Sequence, residues 1–351
     1  MKNLFTKFTT INLTTIIVIC LLNGFFISNL FAQDTHYSQY YAAPLYLNPA
    51  FTGTIQGHRI VANYRNQWPN IPRAFETYSV SYDFNVKELR SGFGVIATTD
   101  KAGSAGLRST TLGFIYSYKI QLAEKWMMTP AIQFTYGNRN IDFNKLVFGD
   151  QLILNGPTQD DAMSKFDAVN FYDFSTGLLI YNKAFWFGYS LHHLNSPNLS
   201  LINDVSTVPK KHSIHTGIKI PLNNGPFKKS HETAVAPSLV YRSQGSFDQL
   251  DVGMHYLNYP MVLGLWYRGI PIQQDVKDNM SHDAMTIVLG LKKDIFEIGY
   301  SYDLTISDLG GNPGGAHEIS LIMEIKNTNM KKHKPDKFIP CPAIYNKGLI
   351  K

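Results

Sequence analysis

The stretch Phe296-Glu297-Ile298-Gly299-Tyr300-Ser301-Tyr302-Asp303 separates into two alternating sets. Phe296, Ile298, Tyr300 and Tyr302 fall on one side, and Glu297, Gly299, Ser301 and Asp303 on the other. A period of two marks a β-strand, because successive side chains of a strand point to opposite faces. The pattern recurs on the next segment, where Ile319, Leu321, Met323 and Ile325 oppose Glu318, Ser320 and Glu324. It recurs far upstream too. There Leu112, Phe114, Tyr116 and Tyr118 oppose Thr111, Gly113, Ser117 and Lys119, with Ile115 the exception.

Worked outward, this reading finds fourteen strand segments: 57–65, 75–83, 92–99, 108–119, 125–139, 172–181, 184–194, 212–221, 232–242, 246–257, 260–269, 284–292, 295–303 and 316–325. Most hold about ten residues, the length a tilted strand needs to cross a bilayer. Alternation alone also fits a soluble sandwich with its apolar face inward. Loop parity separates the two. With the first strand running outward, the long connections (140–171 the longest) fall on the outer side. Asn182-Lys183, Asn258-Tyr259 and Lys293-Asp294 read as two-residue turns, all on the inner side. The short 243–245 and the long 222–231 break the rule. Aromatic residues such as Tyr64, Trp68, Trp126, Tyr256 and Tyr300 gather near segment ends, as interfacial girdles require. After residue 32 no run of apolar residues is long enough for a membrane helix. Strands that cross a membrane must close, since every backbone polar group needs a partner in hydrocarbon. The fold class is therefore all-β: a transmembrane antiparallel up-and-down β-barrel of about 14 strands, with a signal peptide and short N- and C-terminal periplasmic segments.

The chain divides into 1–32, 33–56, 57–325 and 326–351. Lys2 and Lys7, the apolar stretch Ile11–Phe31, Ala32 and the polar run from Gln33 follow the order of a secretory signal cleaved after Ala32. The rival reading is an uncleaved anchor. Residues 33–56 form an ordered irregular segment, either a plug in the lumen or a cap on the periplasmic side. Asn48-Pro49 starts a turn there, and Gly53 suits a backbone angle other residues resist. The formal net charge of +6 is mainly a tail property. Lys326, Lys331, Lys332, Lys334, Lys337, Lys347 and Lys351 face a single acid, Asp336. That tail is a solvated end or a handle for an acidic partner or anionic lipid. No basic aromatic patch points to nucleic acid. Once Cys20 leaves with the signal, Cys341 stands alone, which excludes an internal disulfide and a cysteine zinc cluster.

Several quoted elements carry a resemblance. The chain has Gln33-Asp34-Thr35-His36-Tyr37-Ser38-Gln39-Tyr40, then Leu47-Asn48-Pro49-Ala50-Phe51-Thr52-Gly53, then Asn63-Tyr64-Arg65-Asn66-Gln67-Trp68-Pro69. Downstream come Gly315-Ala316-His317-Glu318-Ile319-Ser320-Leu321 and Ile339-Pro340-Cys341-Pro342. In combination they resemble the PorP/SprF family of Bacteroidota outer-membrane proteins, linked to type IX secretion and gliding motility. The resemblance spans the mature chain and departs from the family at its end, where Ala343 follows and the chain runs on through Tyr345 to Lys351. It implies an outer-membrane barrel beside the secretion machinery, whose partners are membrane lipid, machinery subunits and a large secreted surface protein such as an adhesin. It carries over no catalytic residue and no cofactor.

The motif residues Asn48, Pro49, Gly53, Arg65, Gln67, Trp68, His317, Glu318 and Cys341 are the candidates for structural or partner-binding roles. Arg65 sits high on the first strand and needs an acid in the lumen. Glu297, Asp303, Glu318 and Glu324 are available, and Glu318 is favoured because the last strand must close on the first. The alternative role for these residues is reading a ligand. Metal binding is set aside. His192 and His193, and likewise His212 and His215, would point to opposite faces of a regular strand. Asp160-Asp161 and the loop Asp308–Gly315 lack calcium spacing. No Gly-x-Ser-x-Gly or phosphate loop appears, so no enzyme is expected. The competing classes are a secretion-linked binding component, a channel for small solutes or fatty acids, and an outer-membrane hydrolase.

Overall fold

A computed structural model describes residues 34–71, 75–103, 106–141, 149–154, 168–201, 204–222, 233–274, 280–307 and 313–325. Residues 1–32, expected to be a signal, together with Gln33, the basic tail 326–351 and Cys341, lie outside them.

Strands begin at β1 (His58–Gln67) and continue through β2 (Phe75–Val86), β3 (Ser91–Ala102), β4 (Leu107–Tyr118), β5 (Ile120–Ala123), β6 (Trp126–Asn140), β7 (Val169–Tyr181) and β8 (Phe185–His192). They go on with β9 (Lys211–Ile218), β10 (Ile220–Pro221), β11 (Thr233–Gln244), β12 (Phe247–Asn258), β13 (Met261–Gln274), β14 (Met280–Lys293), β15 (Phe296–Thr305) and β16 (Ala316–Ile325). β5 prolongs β4 along β6, and β10 prolongs β9 along β11, so the segments form fourteen staves. Each stave pairs antiparallel with its sequence neighbours. β16 returns to β1 in unbroken register, Gln67 opposite Ala316 through His58 opposite Ile325. The sheet closes and leaves no edge.

All fourteen segments read from the sequence are present, and most run two to five residues longer at one end. The expected two-residue turns shift slightly. The first takes three residues, because the Asn182 side chain accepts hydrogen bonds from the backbone N–H of both Ala184 and Phe185 (each 2.8 Å) and moves the start of β8 back. The others are Tyr259-Pro260 and Asp294-Ile295, with Asn258 and Lys293 still paired in their strands.

The two faces are inverted relative to a soluble protein. Phe114, Leu265, Ile287, Leu289, Ile298 and Leu321 stand outward and exposed, Ile298 at 53%. Glu318, on the inner face, is 0% exposed. A continuous apolar exterior of this kind has hydrocarbon as its solvent. Aromatic rings ladder across the exterior near both rims: Tyr82, Phe84, Phe93 and Tyr116 near the short turns, Tyr64 with Tyr78 and Phe134 with Tyr172 nearer the long loops.

The described residues 34–57 lie inside the barrel and not beneath it as a periplasmic segment. Asp34 is at the long-loop end, and Gly57 at the short-turn end hands the chain to β1. Three single turns, Tyr40–Ala42, Pro44–Leu47 and Pro49–Phe51, make the segment compact. Tyr40, Tyr41, Leu47, Ala50 and Phe51 pack on Val61, Leu179, Trp186 and Trp266 of the wall as one apolar cluster. An irregular segment has many backbone groups to satisfy, and the polar inner wall supplies their partners.

Candidate functional site

The lumen and the strap that fills it form the candidate site. Near its short-turn end, Arg59 on β1 grips Asp83 on β2 through Nε at 2.8 Å and donates from Nη2 to the carbonyl of Phe51 at 3.1 Å. Asp83 also accepts from the backbone N–H of Gly53 at 2.8 Å. Lys119 donates to the Gly53 carbonyl, and Ser117 to that of Thr52 at 2.8 Å. Gly53 adopts φ +65°, where a side chain is strained, and an added Cβ would stand 2.6 Å from the Gly92 Cα.

At the waist Asn48 holds the strap to three strands. Its Nδ2 donates to the carbonyls of Leu178 and Tyr189 (both 3.2 Å) and lies 3.0 Å from His215 Nε2. Its Oδ1 accepts from the N–H of Ala50 and caps the following turn. The wall makes room by omitting side chains: a Cβ on Gly177 would meet Asn48 Oδ1 at 2.1 Å and Pro49 Cγ at 3.0 Å.

Higher up is the densest network. Glu318 on β16 accepts from the backbone N–H of Ser38 (2.8 Å) and Gln39 (3.0 Å) and pairs with Arg65 Nη1 (3.2 Å). Arg65 Nη2 reaches Asp303 at 2.9 Å. Asp303 also pairs with Arg268 Nη1 (3.1 Å) and accepts from Thr286 and Ser38 hydroxyls. The Ser38 hydroxyl itself accepts from Arg65 and Arg268. Gln39 donates to the carbonyl of Glu318 and accepts from Ser320 at 2.6 Å. Two arginines, two acids and the strap backbone thus neutralise one another in a dry space, the condition under which buried charge is tolerated.

At the long-loop end the Asp34 carboxylate takes Lys211 Nζ at 2.7 Å and His193 Nε2 at 2.8 Å, while its N–H donates to Gln244. Burial works against charge on both acid and imidazole, and the opposite charges outweigh it. Asp34 is held well below the usual carboxylate range by Lys211 and His193. His193 is pushed up to about 9 by Asp34 and Asp173.

The motif residues divide accordingly. Asn48, Pro49, Gly53, Arg65 and Glu318 meet inside the lumen. Arg65 takes Glu318 and also Asp303, because β15 stands directly beside β16. Glu297 and Glu324 instead share Lys292 near the other rim. Gln67 accepts from Arg65 at a long 3.4 Å. Trp68 leaves the strap's surroundings: with φ +61° it ends β1, donates its N–H to the Gly315 carbonyl and packs on Phe75. His317 points outward, its ring 2.9 Å from the Tyr300 hydroxyl. His192 and His193 do not oppose each other as a regular strand would require, because β8 ends at His192 and His193 turns to φ +59°. Both rings reach the strap, at Leu47 and Asp34. His212 and His215 do take opposite faces. Among the described residues no group of three or more His, Cys, Asp or Glu is arranged to hold a metal ion. Arg59, Asp83 and Arg268 were not singled out from sequence, and Ser38 and Gln39 stood there only within a quoted motif. Alternation from Arg65 does put Arg59 on the inner face, but nothing local marks what the strap residues touch.

A closed barrel with an apolar exterior and a polar lumen occupied by its own N-terminal segment is a transmembrane β-barrel of the plugged kind. Its family follows from the sequence match: the chain belongs to the type IX secretion system membrane protein PorP/SprF family, whose pattern matches residues 29–323. No curated protein matches it. Solved structures with a similar course include the Pseudomonas putida toluene transporter TodX (TM-score 0.42, 10% identity, 80% of this chain and 93% of that one). Others are Omp33 of Acinetobacter baumannii (0.42, 6%, 78% and 100%) and the KdgM porin (0.36, 7%, 76% and 99%). These likenesses are too slight to bear on what the chain does.

Proposed function

We propose that this protein is an outer-membrane component of the type IX secretion system that helps to secrete or hold a large surface protein such as a gliding adhesin. It reaches the outer membrane through a signal cleaved after Ala32, and it is not an enzyme. Family membership supports the link to secretion. The observation that carries the binding role over the channel role is the filled lumen: Gln39, Ala42, Asn48 and Thr54 of the strap are all 0% exposed. A transport path would have to displace a segment tied to the wall along its whole length. The basic tail is the candidate contact for machinery on the periplasmic side.

Two measurements test this reading. Native complexes purified through this chain should contain secretion subunits and one large secreted protein by mass spectrometry, and their absence would count against it. In planar bilayers the purified protein should show little steady conductance, whereas a chain lacking residues 34–55 should show large steps. Large ungated steps from the intact protein would favour the channel for small solutes or fatty acids.

A further inference from the structure

One space in the lumen is not filled. Between the strap and the wall formed by β9, β11 and β12 lies a small cleft, open on one side. It sits at the long-loop end, beside the shortest connection there. There β11 and β12 are joined by Gly245-Ser246 alone, while every other connection at that end has four residues or more. The short connection that broke loop parity in the sequence thus lies between two residues of the lining, Gln244 and Phe247.

The polar groups around this cleft are out of balance. Its acids are already paired with cations: Asp34 Oδ2 takes both Lys211 and His193, and Asp251 takes Arg242 and Arg268 together with Gln249. Its donors are not all used. Among the described residues Arg242 is bonded only through Nη1, which leaves Nε and Nη2 for another acceptor. Among them too, Lys211 uses one hydrogen bond of the three an ammonium offers, and its Nζ lies 5.3 Å over the Tyr46 ring. His36 Nε2 is buried with no hydrogen-bond partner, an arrangement that asks for a ligand. Burial, then the cations Arg268, Arg65, Arg242 and Lys211, hold the His36 imidazole well below its ordinary value, so the field at that ring is cationic. Tyr37, Tyr40, Tyr46 and Phe247 add aromatic rings to a lining that is otherwise small, aliphatic or polar.

We propose that this pocket binds a single carboxylate carried on an apolar or aromatic body. The planar guanidinium edge of Arg242 matches a carboxylate in a bidentate fork. Lys211 and His36 supply further donors, and the rings cover the body. The nearby ion pairs already neutralise one another, which favours one added negative charge over a dianion such as phosphate. The carboxylate can come from a small molecule or from a polypeptide. The proposal does not rest on the secretion role.

The test uses the mature chain in lipid nanodiscs, titrated with phenylacetate and with its neutral counterpart phenylacetamide and followed by saturation-transfer NMR. Phenylacetate should bind saturably, and phenylacetamide at least about tenfold more weakly, the worth of one charge-assisted hydrogen bond. Arg242→Gln should cost about tenfold. Phe247→Glu keeps every cation and every hydrogen bond named above and adds a repelling charge at an exposed lining position, so it should cost as much without loosening the fold. Heat-modifiable migration confirms that both variants remain barrels. A short peptide ending in phenylalanine, with free or amidated end, identifies the source. Tighter binding of the free-acid peptide than of phenylacetate points to a polypeptide, and binding of phenylacetate alone to a small molecule. Equal binding of acid and amide overturns the proposal. So does wild-type affinity in both folded variants, or no saturation by either acid.

Discussion

The strap is held in two different ways at its two levels. Around Ser38 and Gln39 the contacts are dry: Arg65, Asp303 and Glu318 have side chains no more than 5% exposed. At Asp34 the partners are wetter, with the Asp34 side chain 25% and that of His193 16% exposed. The same interaction types therefore have unlike worth. A charge in the dry node has no water to turn to if its partner is removed. A charge at the mouth does, and solvent screens its pairing. The deep node anchors the strap permanently, and the mouth only pins its end.

The largest effect should come from splitting the node. Glu318→Ala leaves Arg65 half-paired and removes the acceptor of two strap N–H groups. It should cost about 3–5 kcal/mol, read as a lower urea midpoint for loss of heat-modifiable migration. A cost below that of any mouth variant would erase the distinction between the two levels. Next is the waist. Asn48→Ala removes a cap and abandons two carbonyls and a histidine, at about 1–3 kcal/mol. Protease protection of the strap should fall while the barrel persists.

The smallest effect belongs to the mouth, and there it should depend on pH. Asp34→Asn should cost about 1 kcal/mol or less and appear as faster cleavage of the strap's first residues. His193, at about 9, lies above its ordinary 6.5, so its contribution is complete below about 6.5 and is lost as pH rises through about 9. Asp34 is depressed, so its contribution is present above the ordinary 3.8 and is lost as pH falls through the depressed value. Cleavage at the strap's start should thus accelerate above about pH 9 in the native protein and not in Asp34→Asn. A pH response equal in both would place the pin elsewhere.

By itself the sequence determined the barrel. Strand periodicity is local, since each residue's side follows from its neighbour's, so segments such as 316–325 and the inward facing of Glu297, Asp303 and Glu318 could be read directly. Loop parity followed from the spacing of those segments. Closure of the last strand on the first even indicated Glu318 as a partner for Arg65. Only the tertiary structure decided where residues 34–57 go and what they touch. That segment has no period to read, and its partners lie far along the chain: Ser38 and Glu318 are separated by 280 residues, Asn48 and His215 by 167. The second acid on Arg65, the glycines that admit Asn48 and the donors left over at Arg242, Lys211 and His36 all depend on side chains from several strands converging in one lumen. Such convergence is set by the closed sheet, and no local stretch of sequence encodes it.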